Sequence, residues 1–376
     1  MPDLATAERT AERPATCTTP PLQLAAADCA VGCANCPALP GKRCSSGAFS
    51  TDRDRRRYRI ILTILALAAA GFGFAHLAWD NPMPVGSEGF WLIAQLRTTT
   101  LVAMITVAIC QAFATVAFQT VTDNRILTPS IMGFESLYVA IQTASIYFFG
   151  IVGVSLLVGP AAFALQLAAM IGLTLALYGW LLTGRRANLQ VMLLIGIVIG
   201  GGLGSVSTFM QRLLTPSEFD VLTARMFGSV TKADPAYFPI ALPLAAVACA
   251  VLWWNARRLN LMALGRDACV NLGVDHRRQT ILMLVMVSIL MAVSTALVGP
   301  MTFFGFLTAT LARQLVPTYD HRRLLPIAAL LGFVILAGAY VVMGHVFYAQ
   351  GVVSIIIELV GGSVFLLVLL RKGRLQ

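Results

Sequence analysis

From residue 60 onward, long apolar runs alternate with short polar stretches. A helix needs about 20 predominantly apolar residues to cross a bilayer. Ten runs reach or approach that length: 60–79, 98–118, 127–149, 163–183, 189–209, 237–254, 280–298, 304–316, 324–344 and 352–370. The eighth is the shortest. The pattern predicts an all-α polytopic membrane protein with about ten transmembrane helices. One polar interruption is unlike the others. Residues 257–278 read RRLNLMALGRDACVNLGVDHRR, with Leu261, Leu264, Val270, Leu272 and Val274 forming an apolar face and Gly265 and Gly273 as breaks. A connection of this length is long for a simple turn, and its pattern predicts two short helices lying on a membrane surface, shaped to fit a soluble partner. A second long interruption, 211–236, predicts another surface helix. It starts at Ser217 and carries Phe219, Leu222, Met226 and Phe227 on one side.

Breaks within the apolar runs carry their own signal. Pro129 suits the start of a helix, where its missing N–H is not needed. Gly133, and the cluster Gly200, Gly201, Gly202 and Gly204, give thin surfaces that let two backbones approach. Two readings of these glycines stand: helix packing, or a lining that lets a bulky ligand pass. Gly299-Pro300 ends the seventh run, and the chain then turns back into the membrane, a geometry tolerated only where protein or water satisfies the backbone.

Charge fixes the orientation. The chain is 58% hydrophobic and 12% charged, with a net charge of +10, against about 25% charged residues in a soluble domain. Basic residues sit at alternate ends of the runs. One set comprises the RDRRRYR segment at 53–59, Arg125, Arg185, Arg186, the five arginines of 257–278, Arg322, Arg323, Arg371, Lys372 and Arg374. The opposite set is Arg97, Arg212, Arg225 and Lys232. Positively charged loops stay in the cytoplasm, so both termini and 257–278 are expected there. The basic excess is a topology signal, and nucleic acid is not expected as a partner.

Catalytic chemistry has little to work with. Gly41-Lys42 is followed by Arg43, outside any phosphate-binding frame. His76, His276, His321 and His345 fall in separate loops or run ends. A chain of this kind is not expected to be an enzyme; if ATP drives it, another subunit binds the nucleotide. Glu135 and Glu358 are the acids placed within runs. Intramembrane charges usually face a cavity or a partner. Glu135 is open to a place on a central path, contact with a substrate, or pairing with Arg97 or Arg125; for Glu358 a packing role is expected.

Residues 1–58 lack apolar periodicity and are expected to be a disordered, Cys-containing cytoplasmic tail. Cys29, Cys33, Cys36 and Cys44 form C-x3-C-x2-C-x7-C. Four thiolates suit zinc or an iron–sulfur cluster, but the spacing matches no defined finger, and incidental tail cysteines are the alternative.

Three stretches together carry a family resemblance: LGRDACVNLGV at 264–274, NRILTPSIMGFESLY at 124–138 and STALVGPMTFFGFLTATLARQL at 294–315. They resemble iron-chelate (FecCD-type) permeases, the membrane subunits of ABC importers for siderophores, haem and cobalamin. The resemblance covers 59–374 and excludes the tail. It implies the type II ABC importer permease architecture in the cytoplasmic (inner) membrane, with spans 2–5 and 7–10 related by inversion. It also implies two copies of an ATPase that holds ATP and Mg, docked at Leu264, Gly265, Arg266, Asp267, Leu272 and Gly273. A second, different permease subunit and a periplasmic or lipid-anchored siderophore-binding protein complete the assembly. By resemblance, Arg97 docks that binding protein, with His345 standing where a second docking Arg is usual; Pro129, Gly133 and Glu135 line the path; and the 211–236 segment forms an outer gate. No cofactor is expected on this chain. The NRILTPSIMGFESLY variant points to a catecholate-type siderophore. The alternatives are a proton-driven secondary transporter using Glu135 and Glu358, and a membrane-anchored metal or haem sensor reading through its tail.

Deleting residues 1–47 keeps the basic run at 53–59, so insertion and orientation are expected to persist, as is ferric-siderophore uptake. Protease accessibility of the termini and uptake at matched protein levels check this; loss of uptake with normal insertion overturns it.

Overall fold

The computed structural model describes residues 49, 52–78, 86–156, 159–183, 189–316, 318–345 and 353–373. The tail cysteines Cys29, Cys33, Cys36 and Cys44, the pair Arg185 and Arg186, and the His345 side chain lie outside the described residues.

The described chain is all helical. In order, α1 is Asp52–Ala78, α2 Glu88–Val121, α3 Phe134–Leu156, α4 Pro160–Thr183, α5 Leu189–Gln211, α6 Pro216–Met226, α7 Phe238–Trp254, α8 Ala256–Met262, α9 Arg266–Asn271, α10 His276–Val298, α11 Phe304–Leu315, α12 His321–His345 and α13 Val353–Gly373. A helix coincides with each of the ten predicted runs. By length and composition, six helical segments of the described residues can cross a membrane: Asp52–Leu77, Glu88–Val121, Val191–Gln211, Pro235–Trp254, His276–Val298 and His321–Met343. Pro160–Ala176 and Val353–Val368 are shorter apolar helices. With 12 residues, α11 reaches about 18 Å at 1.5 Å per residue, short of the ~30 Å hydrocarbon core.

Helices α2 and α10 form the centre. Ala103, Met104, Val107, Ala112, Ala114 and Phe118 of α2 are buried, as are Met283, Val287, Leu290, Met291 and Val293 of α10. Helix α12 packs on α2 through Leu325, Ala328 and Leu336, and α1 lies outside it, exposing Ile64, Leu67 and Phe74. The small residues of α2 let neighbours approach closely, since packing rather than hydrophobic exclusion holds helices together in lipid. Cys110 is one such filler, fully buried in α2.

The structure moves several predicted boundaries. Helix α2 runs 34 residues, much longer than the apolar run at 98–118. Ser87 caps it by accepting from the Phe90 N–H at 3.2 Å, so the helix begins at Glu88, ahead of that run. The third run does not begin as a helix at 127. Pro129–Met132 is a single 3₁₀ turn, and Gly133, with φ of 95°, ends it before α3 begins. The surface helix starts before Ser217, because Thr215 is its cap. The face predicted for 257–278 divides in two: Leu261 and Val274 pack inward on the core, whereas Leu264, Val270 and Leu272 are 65%, 58% and 58% exposed.

Gly133 holds the tightest interhelical approach near this break. A Cβ built there falls 3.0 Å from the Gly200 Cα, and one built on Gly200 falls 2.8 Å from the Gly133 Cα. Gly201, Gly202 and Gly204 face open space. Gly133→Val combines a left-handed backbone, costing about 1–2 kcal/mol, with overpacking of about 1–3 kcal/mol. A clear fall in the melting temperature of the detergent-purified protein is expected. Gly201→Ala, which meets nothing, should leave it unchanged or slightly raised.

Candidate functional site

Three features are candidates for function. The first is the 257–278 segment. Helix α8 buries Ala256, Leu259 and Met262. Gly265, with φ of 95°, turns the chain into α9, and Gly273, with φ of 76°, turns it out again. Neither φ suits a residue with a side chain. The Gly273 N–H donates to the Val270 carbonyl and the Val274 N–H to the Cys269 carbonyl. Asp275 then caps α10, accepting from the Arg278 N–H at 3.1 Å. The surface that results pairs exposed apolar residues, Leu264, Val270 and Leu272, with exposed Arg266 and Asp267. Short helices are marginal alone in water; here buried residues on one side hold them rigid while the other side stays open.

The second feature lies where two helix breaks meet. Glu135, in the first turn of α3, accepts a hydrogen bond from the Thr302 hydroxyl at 2.6 Å. Ser130 and the Met301 backbone lie beside the same carboxylate, and Glu358 of α13 is close enough to interact with it electrostatically. The non-helical stretch before α3 carries Glu135 into the bundle, to the turn after α10. Glu135 Oε1 is buried without a partner. The Arg97 guanidinium instead donates to the His76 carbonyl at 3.3 Å. The packing role expected for Glu358 is not met within this chain, because the residue is exposed on its surface.

The same turn is braced from outside. Gly299, with φ of 97°, caps α10, and the Ser229 N–H donates to the Val298 carbonyl at 2.8 Å. Gly228 lies against it, so that a Cβ there would meet the Pro300 carbonyl oxygen at 2.5 Å. The chain thus runs directly from the third feature, α6, into the turn beside Glu135. Helix α6 buries Leu222 and leaves Phe219 and Phe227 partly exposed. Glu218 accepts from the Thr215 N–H and hydroxyl at 3.0 and 2.8 Å, and these bonds hold its carboxyl below the ordinary value. Their contribution is complete above the usual carboxylate range and is lost as pH falls through the lowered value.

Sequence reasoning missed several polar contacts. Thr302 was passed over as part of a turn. Gln111, Thr115 and Gln119 lie four residues apart on α2 and are buried, and Gln111 donates to the Ser294 hydroxyl at 3.1 Å. Polar residues at helical spacing within an apolar run were the available signal. Asn260, within the stretch read as two short helices, and His321, read as a loop or run-end residue, are joined by hydrogen bonds.

A model of the FecCD transport family matches residues 60–371. The petrobactin import system permease protein FatC of Bacillus anthracis is 49% identical over 331 residues, covering 88% of this chain and 94% of that protein. The petrobactin import system permease protein YclO of Bacillus subtilis (strain 168) is 38% identical over 263 residues, covering 70% and 84%. In fold, the chain is similar to a metal-chelate type ABC transporter solved in an inward-facing conformation, with a TM-score of 0.71 and 21% identity over 83% of this chain and 99% of that one.

Thr302→Val removes a donor from a carboxylate inside the bundle, at about 1–3 kcal/mol or more. Glu135→Gln keeps an acceptor for Thr302 and removes the charge. Thr302→Val is expected to lower the melting temperature more than Glu135→Gln, and the double variant to be less destabilised than the sum.

Proposed function

We propose that this chain, which belongs to the FecCD transport family, is the membrane-spanning permease subunit of an ATP-binding-cassette importer that carries a ferric siderophore across the cytoplasmic membrane. The observation that carries this reading is the 49% identity to a petrobactin import permease along nearly the whole of both chains. A catecholate-type chelate such as petrobactin is the favoured cargo.

The parts fall into place on that reading. ATP and Mg bind a separate ATPase, in two copies, seated on Leu264, Gly265, Arg266, Asp267, Leu272 and Gly273. The exposed apolar residues there support a protein partner, since an open apolar patch next to charged residues marks a docking surface. A second permease subunit of different sequence covers α5 and α13. Helix α5 exposes Leu194, Val198, Val206 and Phe209 around its unoccupied glycines, and α13 exposes Glu358 among Ile355, Leu359 and Val360. A carboxylate facing lipid is costly, which supports a partner or a water-filled path beside α13. Pro129, Gly133 and Glu135 line that path. Arg97, with His345, meets a siderophore-binding protein outside, and α6 acts as the outer gate. Ten spans with both termini in the cytoplasm complete the topology, and residues 1–58 remain a tail.

Proteoliposomes holding both permeases and the ATPase, with binding protein and labelled ferric petrobactin outside, test the assignment. Uptake is expected to require ATP; uptake driven by a proton gradient without the ATPase overturns it. In the same system, Leu264→Asp puts a charge into an apolar interface and should abolish ATPase co-purification. Gly273→Val should retain the ATPase but uncouple hydrolysis from uptake. If both variants bind and transport like the parent, 257–278 is a connector and not a docking site.

A further inference from the structure

The docking segment is tied to the interior by one buried polar chain. Asn260, in α8, accepts from the His321 backbone N–H at 2.9 Å through Oδ1, while its Nδ2 donates to Asp320 Oδ1 at 3.1 Å. A backbone donor on one side and a carboxylate on the other fix which way the amide points. His321 Nδ1 lies 2.6 Å from the same Oδ1, so this nitrogen carries a proton and donates. The opposite ring nitrogen, Nε2, lies 2.7 Å from the Thr120 hydroxyl near the end of α2. That hydroxyl also lies 2.8 Å from the Val116 carbonyl but has a single proton to give. Arg313 of α11 approaches the Val116 carbonyl at 3.4 Å and the Thr120 oxygen at 3.5 Å. With Thr120 donating to Nε2, Arg313 Nη2 approaches Val116, and a neutral ring has both its nitrogens bonded, while Arg313 Nε is left without a hydrogen-bond partner.

Each link therefore sets the orientation of the next, and four elements are joined: α8, the start of α12, the end of α2 and α11. His321 is 3% exposed and Thr120 5%, so water does not compete for the bond between them, while Asn260 and Asp320 are half-buried. One residue before Thr120, the Gln119 amide donates to the Arg125 carbonyl at 2.8 Å. It thereby pins the connection that climbs to Gly133 and Glu135. Exposed Leu264 and Leu272 stand at one end of the chain of contacts and the break beside Glu135 at the other.

We propose that Asn260, His321 and Thr120 form a latch that carries movement of the ATPase-docking segment into α2 and α11, and so to the helix break that holds Glu135. This rests on the importer reading above. The three are positioning residues: none meets the cargo or the nucleotide. A contact that is equal in both ATPase states shifts nothing, so the latch matters by transmitting the displacement of α8 rather than by binding strength.

The test uses the complete importer in proteoliposomes and reads siderophore taken up per ATP hydrolysed, with ATPase co-purification alongside. Asn260→Leu keeps the volume and removes the bonds. It should retain the ATPase and its turnover while the transport ratio falls about tenfold, within the range of allosteric couplings. Thr120→Val should do the same, and Thr120→Ser, which restores the hydroxyl, should recover the ratio to within about twofold. This rescue separates the latch from a packing role, because Ser is smaller than Val yet is expected to perform better. An unchanged ratio in Asn260→Leu and Thr120→Val overturns the latch, as does a parallel loss of ATPase binding and transport in both. If the parent itself shows no ATP-dependent uptake, the importer reading fails first, and the proposal with it.

Discussion

A backbone freed from its helix inside an apolar bundle must find hydrogen-bond partners in protein, because lipid offers none. Two breaks among the described residues, at 129–133 and at 299–303, are placed so that each helps satisfy the other. The Thr302 hydroxyl of one reaches the Glu135 carboxylate that follows the other. The Val298 carbonyl, at the end of α10, is taken by the Ser229 N–H. Such meetings need close approach, and glycine is found where backbones touch: Gly133 against Gly200, and Gly228 against Gly299 and Pro300. Packing of α2, α10 and α12 holds these contacts together. The interior site is thus a consequence of where helices stop, and a bilayer tolerates such stops mainly beside a cavity or within protein.

The helices were legible because lipid makes apolar length a strong signal. All ten predicted runs hold a helix, and the two short helices of 257–278 are present, α8 ahead of Gly265 and α9 between Gly265 and Gly273. Positive φ at Gly133, Gly265, Gly273 and Gly299 follows from the same logic, since each is a glycine at a helix end. Boundaries were less legible. Hydropathy stops where polar residues start, whereas α2 continues from Glu88 under the control of the Ser87 cap. The 127–133 stretch is apolar enough to read as a span, yet Pro129 and Gly133 keep it out of the α-helix.

Side-chain partnerships were the least legible. Glu135 was recognisable as unusual, but both partners considered for it were arginines. The hydroxyl that meets it comes from 167 residues away, and nothing local to Thr302 announces it. His321 was set aside because the four histidines fall in separate loops or run ends. Its importance is topological: the turn between α11 and α12 lies beside α8, and Asn260 reaches across 61 residues to its ring. Exposure also changed the meaning of residues that composition treated alike. Glu135 turns into the bundle and Glu358 out of the chain surface, although both read as acids within apolar runs.

Polar groups in this protein are arranged in a gradient of consequence. On the surface of the 257–278 segment, the Arg278–Asp275 pair is 89% and 55% exposed, and exposed pairs of this kind contribute about 0–1 kcal/mol. One layer in, half-buried Asp320 and Asn260 and buried His321 and Thr120 exchange directed hydrogen bonds, where losing one partner leaves the next unsatisfied. Deeper still, Glu135 accepts from Thr302, with Ser130 and the Met301 backbone beside the same carboxylate. Residues from both broken segments thus share one carboxylate, so a shift of either break changes the contacts of the other. The directed bonds beside 257–278 fix how helices sit against one another, whereas the carboxylate between the breaks ties two helix ends to one group.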